Sequence, residues 1–287
     1  MNYGEKRIMN KITKAIIPVA GYGTRRLPIT KSIEKCMLPI GNRPIVDYTV
    51  EDCVKAGIKD IYFVVGDDST QIEAYFGKNQ RFEKYLKQAN KTGQLELIAP
   101  RKDVKFHYIR QNPDDKYGTA IPVALALEEI GTKEPVIVLM GDDFIYNHNS
   151  VSNAEQMMAR FDGENVVILG ALVHKKEVSK YGVIKVDKKN NFVEIIEKPS
   201  PAEAPSCLIN VSKYILPSNL LATFTERMKQ KEQNGEYYIT DIINDFVAEG
   251  NSMKVVPAIG KYLDGGTLEG WLLANEIVGR DLIKKKK

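Results

Sequence analysis

Glycines and cations follow an apolar segment near the start of the chain, a combination that could hold phosphates. Residues 15–20 are uninterruptedly apolar, which predicts a strand covered on both faces. Gly21 and Gly23 come next and would let the backbone turn tightly and approach a ligand closely. Three cations stand just beyond them: Arg25, Arg26 and Lys31.

Two familiar phosphate-binding patterns do not fit this loop. The dinucleotide-binding pattern G-x-G-x-x-G would need a third glycine at the position of Arg26, and the P-loop pattern fails at the same residue. An ordinary turn after a strand, with its arginines in water, fits the stretch equally well when it is considered alone. The role of the loop therefore has to be judged together with the rest of the chain.

Carboxylates occur at two other predicted turns. Asp142 and Asp143 follow the apolar residues 136–140, and Asp264 stands in a glycine turn before a predicted helix. Each of these turns is common in proteins for purely local reasons. Taken together, two carboxylates from distant strands could hold one Mg²⁺ ion, which prefers oxygen ligands, few of them from the protein, and binds substrate phosphates.

Further charged residues fall in three short segments: "EKCMLP" with Lys35, "EKP" with Glu197 and Lys198, and "GEYYITD" from Glu236 to Asp241. Arginine and lysine side chains could neutralise a triphosphate and a second phosphate. No Ser–His or Cys–His arrangement is evident, which suits phosphoryl-type transfer because that chemistry relies mainly on positioning and charge stabilisation. A kinase would need the missing phosphate-loop pattern, whereas nucleotidyl transfer would not.

Composition narrows the class of protein. The 287 residues are 43% hydrophobic and 27% charged, as in soluble globular proteins, and the apolar runs are too short to span a bilayer. The net charge of +4 equals the charge of the four terminal lysines, Lys284 to Lys287, so nucleic-acid binding is not indicated. Cys36, Cys53 and Cys207 are odd in number and widely spaced, which indicates neither a disulfide framework nor a zinc site. We expect a cytoplasmic, reduced protein that binds neither nucleic acid nor membrane.

Strand and helix patterns alternate through the first half of the chain. Strands are predicted at residues 15–20, 61–65, 104–110 and 136–140, and helices at 44–56, 69–76, 81–90 and 120–129. Such alternation predicts parallel strands with ligand loops at their carboxyl ends. In the second half, strands are predicted at residues 166–173, 182–186, 192–196, 207–215 and 253–257, and helices at 219–231, 239–248 and 267–283. No linker divides the chain, so we expect one domain over residues 1–287.

The chain resembles the sugar-1-phosphate nucleotidylyltransferases in eight segments: VAGYGTRRLPITK, MLPIGNRPIVDYTV, YGTAIPVA, GDDF, YGVI, EKP, GEYYITDII and LDGGTLEGWLLAN. The form G-x-G-T-R-x-L-P-x-T-K resembles the branch that uses UTP and glucose 1-phosphate. The resemblance implies an α/β protein with a Rossmann-like, three-layer α/β/α fold around a mixed, mainly parallel sheet. A nucleotide-binding half would occupy about residues 14–145, and a sugar-binding half with the C-terminal helix about 146–287.

The resemblance also implies roles for residues on the nucleotide side. Ala20 and Gly21 would offer backbone groups to the base, and Gln111 and Gly118 would read the edge of the base. The triphosphate would lie against the next part of the opening loop: Gly23, Thr24 and Arg25. Arg25 would stabilise the leaving pyrophosphate.

On the other side of the implied reaction centre, Asp142 and Asp264 match the carboxylates that hold Mg²⁺. Lys198 matches the lysine that holds the phosphate of the sugar, and Lys35 matches another phosphate-facing lysine. The sugar itself would contact three residues: Gly182, Glu197 and Glu236. The implied reaction joins UTP and α-D-glucose 1-phosphate into UDP-glucose and pyrophosphate in a homodimer or homotetramer, with Arg25, Lys35 and Lys198 as the catalytic candidates.

Cys36 departs from the family, which usually has Glu or Gln at that position to help place the nucleotide. This departure keeps two related reactions open: dTTP with glucose 1-phosphate, or UTP with another hexose 1-phosphate. Asp143 stands where relatives vary, so we expect it only to support the site. A catalytically silent nucleotide-sugar sensor is a further alternative, although a binder would not need all five of the charged residues at the predicted centre: Arg25, Lys35, Asp142, Lys198 and Asp264.

Overall fold

The computed structural model describes residues 12–112, 116–147, 151–188, 191–230, 232–233 and 235–284, so residues 285–287 of the terminal lysine run lie outside it. Among the described helices, none combines the length and the apolar character needed to cross a membrane. The strands are β1 (Lys14–Pro18), β2 (Pro39–Ile40), β3 (Arg43–Pro44), β4 (Asp60–Gly66), β5 (Lys105–Gln111), β6 (Val136–Leu139), β7 (Asp143–Tyr146), β8 (Val166–Leu172), β9 (Gly182–Val186), β10 (Phe192–Glu197), β11 (Leu208–Leu216), β12 (Glu232–Gln233), β13 (Glu236–Tyr237), β14 (Met253–Pro257) and β15 (Lys261–Asp264). The α-helices are α1 (Ile45–Lys55), α2 (Gln71–Phe76), α3 (Gln80–Gln88), α4 (Ile121–Ile130), α5 (Asn153–Arg160), α6 (Ser218–Leu221), α7 (Phe224–Lys229), α8 (Ile239–Ala248) and α9 (Leu268–Lys284).

Nine of the described strands form one central sheet in which most strands run the same way. The order is β10, β9, β11, β6, β1, β4 and β5, while β8 pairs with β11 and β14 pairs with β8. β1, β4, β5 and β6 are mutually parallel, as are β8 and β14. β11 runs antiparallel to β6, β8 and β9, and β10 runs antiparallel to β9. Seven strands therefore share one direction and β10 and β11 oppose them, which confirms the expected mixed, mainly parallel sheet.

Helices cover both faces of this sheet, as the apolar strands require. Consecutive residues of a strand point to opposite faces, and in β1 Ile16 and Ile17 are both fully buried. Ile16 belongs to a cluster with residues of α4 and α8, whereas Ile17 belongs to a cluster with residues of α1 and α5. The three-layer α/β/α architecture follows from this two-sided burial.

The C-terminal helix α9 packs against segments from both halves of the chain. Ala274 and Val278 of α9 share an apolar cluster with Phe144 of β7 and Leu263 of β15. The side chain of Trp271 donates from Nε1 to the carbonyl of Pro39 at 2.9 Å. The helix therefore fixes the β7–β15 pair beside the first loops of the chain.

Most predicted elements are present, with bounds shifted by a few residues. The strand predicted at 15–20 ends at Pro18, because the following residues form the loop. The helix predicted at 219–231 is divided into α6 and α7 at Thr223, whose hydroxyl donates to the carbonyl of Leu220 at 3.3 Å and accepts from Nε of Arg227 at 2.8 Å. β7 and β15 are absent from the predicted elements because their short sequences also fit turns.

The centre of the first apolar cluster provides a test of the fold. Phe63 in β4 is fully buried and stacks against Phe76, Phe106 and Tyr108. Replacing it by alanine removes the ring and leaves a cavity, so we expect Phe63→Ala to lower the free energy of unfolding by roughly 3–5 kcal/mol. Urea unfolding followed by the fluorescence of the single tryptophan measures this change.

Leu97 offers a matched control for that substitution, because it is 83% exposed. We expect Leu97→Ala to change the free energy of unfolding by no more than about 0.5 kcal/mol. Equal effects of the two substitutions would contradict the placement of β4 at the centre of the core.

Candidate active site

A cleft of about 1170 Å³ opens where β1, β5 and β6 end. This is the edge at which ligands bind in α/β sheets, because the loops that follow parallel strands meet there. The cleft brings together nine residues that the sequence predicts for the site: Ala20, Gly21, Arg25, Lys35, Gln111, Gly118, Asp142, Glu236 and Asp264. Residues from opposite ends of the sequence therefore form one surface.

A smaller pocket of about 250 Å³ joins this cleft. Two further predicted residues, Gly182 and Glu197, line it. The two cavities share six lining residues: Thr119, Asp143, Tyr181, Ser212, Tyr238 and Tyr262. They therefore form a continuous space with a wide part and a narrow part.

Three predicted residues line neither cavity: Gly23, Thr24 and Lys198. Lys198 follows Glu197 at the end of β10, and its side chain is exposed. Its backbone has the left-handed value φ = 45°, and its amide donates to the carbonyl of Tyr181 at 3.0 Å. Tyr181 lines both cavities, so the backbone of Lys198 is tied to the edge of the site while its ammonium lies outside the cavity linings.

The opening loop is held by a hydrogen bond between two of its own residues and packs closely against Lys35. Gly23 has φ = 65°, and its carbonyl accepts a hydrogen bond from Oγ1 of Thr30 at 2.9 Å. A Cβ atom at Gly23 would come within 3.0 Å of Cβ of Lys35, so glycine is needed both for the turn and for the close approach. The loop thus presents Arg25, two residues beyond Gly23, to the cleft.

From the sequence we expect Arg26 to lie either beside Arg25 or in water. The structure places it in neither environment. It is 5% exposed, and its guanidinium carbon lies 5.0 Å from the ring centroid of Trp271. Within the described residues, its Nε and Nη1 atoms have no hydrogen-bond partner. Thr24–Arg26 form a single turn of 3-10 helix, in which neighbouring side chains point to different sides, and this separates Arg26 from Arg25.

Lys35 and Asp142 form an ion pair at the floor of the cleft, with Nζ and Oδ2 2.6 Å apart. Burial alone would raise the pKa of Asp142, but the charges of Lys35 and Lys213 lower it overall. Burial alone would lower the pKa of Lys35, but the neighbouring Asp142 raises it overall. Both side chains are therefore charged at neutral pH.

Asp264 faces Asp142 across a space that glycine leaves open. In the β7–β15 ladder Asp264 is the partner of Asp143, and the amide of Gly265 donates to the carbonyl of Asp142 at 3.1 Å. A Cβ atom on Gly266 would lie 3.0 Å from Oδ1 of Asp264 and 3.6 Å from Oδ2 of Asp142. One small atom could therefore contact both carboxylates.

The electrostatics of this space favour a cation. The pKa of Asp264 is raised overall. Burial and the charge of Asp142 raise it, and the hydrogen bond from the amide of Gly266 opposes them. Among the described residues, no group of three or more His, Cys, Asp or Glu side chains is arranged to hold a metal ion by itself. A metal at the pair of Asp142 and Asp264 would thus need further oxygen ligands, which suits an ion that binds substrate phosphates.

Asp143 has partners that the sequence patterns do not predict. Its carboxylate accepts from the ammonium of Lys213 and from the hydroxyl of Tyr262 at 3.2 Å. Burial raises the pKa of Asp143 to about 6, with Lys213 opposing the shift and Asp142 adding to it. A lysine within the apolar strand sequence LINVSKYIL is the signal that could have identified Lys213.

Two cleft segments, one with Tyr117 and Gly118 and the other with Glu236 and Tyr237, are joined closely by backbone hydrogen bonds. The amide of Tyr237 donates to the carbonyl of Tyr117 at 2.9 Å, and the amide of Ala120 donates to the carbonyl of Tyr237 at 3.0 Å. Between them Gly118 has φ = 123°, and a Cβ atom there would lie 2.3 Å from the carbonyl oxygen of Tyr237. Only glycine fits this crossing, which places Gly118 beside the segment that carries Glu236.

Glycine also allows a close contact at the wall of the smaller pocket. A Cβ atom on Gly182 would lie 2.8 Å from Oε1 of Glu197. The two residues are partners in the β9–β10 ladder. Their proximity leaves the carboxylate of Glu197 at the pocket wall.

Cys36 borders the cleft but is 1% exposed. Burial raises the pKa of its thiol, and the nearby Glu34 raises it further. Glu34 is itself held by Ser69, whose Oγ donates to Oε2 at 2.8 Å, and by the amide of Gln71, which donates to Oε1 at 3.0 Å. Cys36 is therefore a neutral, packed side chain at the edge of the site.

The chain belongs to the nucleotidyl transferase family, whose model matches residues 14–280. The resemblance noted in the motifs is thereby confirmed. Among its relatives, the UTP–glucose-1-phosphate uridylyltransferase of Streptococcus pneumoniae is 36% identical over 244 residues, which cover 82% of this chain and 80% of the relative.

Two solved structures are similar over nearly the whole chain. The UTP-bound UGPase from Acinetobacter baumannii superimposes with a TM-score of 0.83 at 28% identity and covers 94% of each chain. A UDP-glucose pyrophosphorylase complexed with UDP-glucose superimposes with a TM-score of 0.77 at 30% identity, covering 94% of this chain and 99% of the other. The fold of the family is thus the fold of this chain.

The burial of Cys36 gives a prediction about thiol reactivity. Only the thiolate reacts with disulfide reagents, and Cys36 and Cys53 are both buried with raised pKa values, whereas Cys207 is half-buried. In the native protein we expect Cys207 to react first with Ellman's reagent, and all three thiols to react after denaturation. Mass spectrometry of the labelled peptides identifies each site, and rapid native labelling of Cys36 would contradict its packing.

Proposed function

We propose that this chain transfers the uridylyl group of UTP to α-D-glucose 1-phosphate, giving UDP-glucose and pyrophosphate. The observation that carries the proposal is the convergence of Asp142 and Asp264 in a cleft that continues into a narrower pocket. A wide part for a nucleoside triphosphate and a narrow part for a sugar meet beside the carboxylate pair. The names of the streptococcal relative and of the two similar structures support UTP and glucose 1-phosphate as the substrates.

The nucleotide would occupy the wide part of the cleft. Ala20, Gly21, Gln111 and Gly118 line this part and would contact the base. The loop of Gly23, Thr24 and Arg25 would hold the triphosphate, with Arg25 against the pyrophosphate that leaves. Backbone N–H groups and a guanidinium are suitable partners for phosphate oxygens.

Asp142 and Asp264 would hold a divalent cation, for which Mg²⁺ is the proposed identity. The open space at Gly266, bounded by an oxygen of each carboxylate, and the all-oxygen donor set fit this ion. When bound, such an ion neutralises charge on the phosphates and stabilises the charge that develops during transfer. Lys35, which pairs with Asp142, would turn to a phosphate as the ion takes its place.

The sugar would lie in the narrow pocket against Gly182 and Glu197, with Glu236 contacting it from the adjoining cleft, and its phosphate would be the nucleophile. One of its oxygens attacks the α-phosphorus of UTP, and the bond to pyrophosphate breaks. The nucleophile is already an anion, so no general base is required. Lys198 would hold the attacking phosphate against its repulsion from the triphosphate, which requires its exposed side chain to turn inwards.

A second candidate substrate is favoured by Cys36. The buried, neutral thiol at this position cannot make the hydrogen bonds of the Glu or Gln that is usual in the family. A less constrained base site would accept dTTP, or would pair UTP with another hexose 1-phosphate. A catalytically silent sensor is disfavoured by the shared lining of the cleft by Arg25, Lys35 and the two aspartates.

The remaining parts of the proposal concern the assembly and the location of the protein. Residues of about 14–145 would form the nucleotide-binding half and residues of about 146–287 the sugar-binding half of one domain. We propose a homodimer or homotetramer in the cytoplasm, and light scattering of the purified protein measures the oligomeric state.

Release of pyrophosphate tests the substrates. With Mg²⁺ and glucose 1-phosphate we expect turnover with UTP, and much less with ATP, CTP and GTP. A matched series with dTTP and with other hexose 1-phosphates separates the leading reaction from its rivals. Equal or better use of dTTP would assign the thymidylyl reaction, and no release with any pair would favour the silent sensor.

Substitution of Lys198 tests its proposed contact with the attacking phosphate. Loss of one preorganised group that stabilises charge typically costs about 10²–10³ in rate, so we expect Lys198→Ala to lower kcat by that factor. Lys185→Ala is the control, because Lys185 is also exposed and pairs with Glu194 away from both cavities. A loss of only a few-fold in Lys198→Ala would remove Lys198 from the mechanism and direct attention to the cleft-lining Lys180 and Lys261.

A further inference from the structure

Lys213 is a buried cation behind the candidate active site. It lies in β11, 2% exposed, and its Cα is paired with that of Leu139, the last residue of β6. The chain runs on from β6 to Asp142 and Asp143, so the lysine side chain extends past the end of β6 and its ammonium donates to Oδ1 of Asp143. A charged side chain in the sheet centre is tolerated because it is paired.

An irregularity in β11 accompanies this placement. The pairing of β11 with β8 shifts register between Asn210 and Tyr214, and Ser212 has the left-handed value φ = 51°. Lys213 directly follows this irregular residue, and it is buried, as is its neighbour Tyr214. Bulges of this kind redirect a side chain and are frequent next to active sites.

The carboxylate of Asp143 connects Lys213 to both candidate metal ligands. Asp143 is the chain neighbour of Asp142 and the ladder partner of Asp264. Its Oδ2 accepts from the hydroxyl of Tyr262 at 3.2 Å, so the carboxylate is held between β11 and β15. A shift of Asp143 would therefore move Asp142 and Asp264 together.

Lys213 itself lines neither cavity, so it does not touch a substrate. We propose that Lys213 is a positioning residue that acts through Asp143 and holds Asp142 and Asp264 at the separation a divalent cation requires. This inference rests on the proposed function through the metal that the two aspartates would bind. It differs from the role of Lys35, which lies on the cleft side of Asp142 and lines the cleft.

A purely structural role is the alternative, because buried ion pairs are often replaceable by apolar residues without loss of stability. The double substitution Lys213→Met with Asp143→Leu separates the two roles. It removes the buried charges together, so the thermal midpoint is expected to stay close to that of the unsubstituted protein. A positioning role predicts that metal binding and turnover remain impaired, whereas a structural role predicts that they recover with stability.

The experiment measures free Mn²⁺ by electron paramagnetic resonance while the ion is titrated into the protein alone. Loss of a residue that orients metal ligands typically weakens metal affinity about 10–100-fold, which we expect for Lys213→Met and for the double variant. We also expect kcat to fall by about 10²-fold with little change in KM, since a small misplacement of the site has this effect. Lys213→Arg keeps the charge and is expected to recover most of the Mn²⁺ affinity.

Two further variants serve as references for the Mn²⁺ affinities. Asp142→Asn removes a proposed ligand and gives the Mn²⁺ affinity of a damaged site. Lys254→Met breaks the Lys254–Asp162 ion pair on β14 of the same sheet, away from both cavities, and is expected to leave Mn²⁺ affinity and kcat unchanged.

The outcomes separate this inference from the proposed function. Unchanged Mn²⁺ affinity in Lys213→Met, or full recovery of affinity in the double variant, would overturn the positioning role. Absence of Mn²⁺ binding by the unsubstituted protein would overturn the metal assignment on which it rests. Because the titration contains no nucleotide, a wrong choice of UTP or of the sugar would leave its result unaffected.

Discussion

Mutual repulsion among three neighbouring aspartates is the constraint that shapes the site. Asp142, Asp143 and Asp264 are brought together by the β7–β15 ladder, and two like charges about 4 Å apart repel by roughly 4 kcal/mol at an effective dielectric constant of 20. Lys35 balances this charge from the cleft and Lys213 from the sheet. The cost of assembling the carboxylates is what makes the space between them receptive to a cation.

The fold could be predicted largely from the sequence because the sheet is buried on both faces. Continuous apolar runs such as residues 136–140 admit few interpretations when helical patterns alternate with them, and the parallel half of the sheet follows. The short strands β7 and β15 could not be predicted, since Asp-Asp and Asp-Gly-Gly fit turns as well as strand ends. The break between α6 and α7 depends on the side-chain bonds of Thr223, which a helical pattern does not reveal.

The candidate site could be predicted where function depends on a local pattern. Gly21 and Arg25 of the opening loop, Asp142 and Asp264 all line the cleft, as their motifs indicate. Arg26 could not be placed from its neighbour, because a single turn of 3-10 helix sends it under Trp271. Lys213 is 70 residues from Asp143 in the sequence, and its role depends on a bulge that no spacing rule contains.

The junction at Gly118 has a consequence for how the two reactants influence each other. The cleft segment of Tyr117 and Gly118 is bonded directly to the short strand that carries Glu236, with no room for a side chain between them. A displacement of one segment is therefore a displacement of the other. Because coupling free energies are reciprocal, the nucleotide and the sugar phosphate change each other's affinity by the same factor.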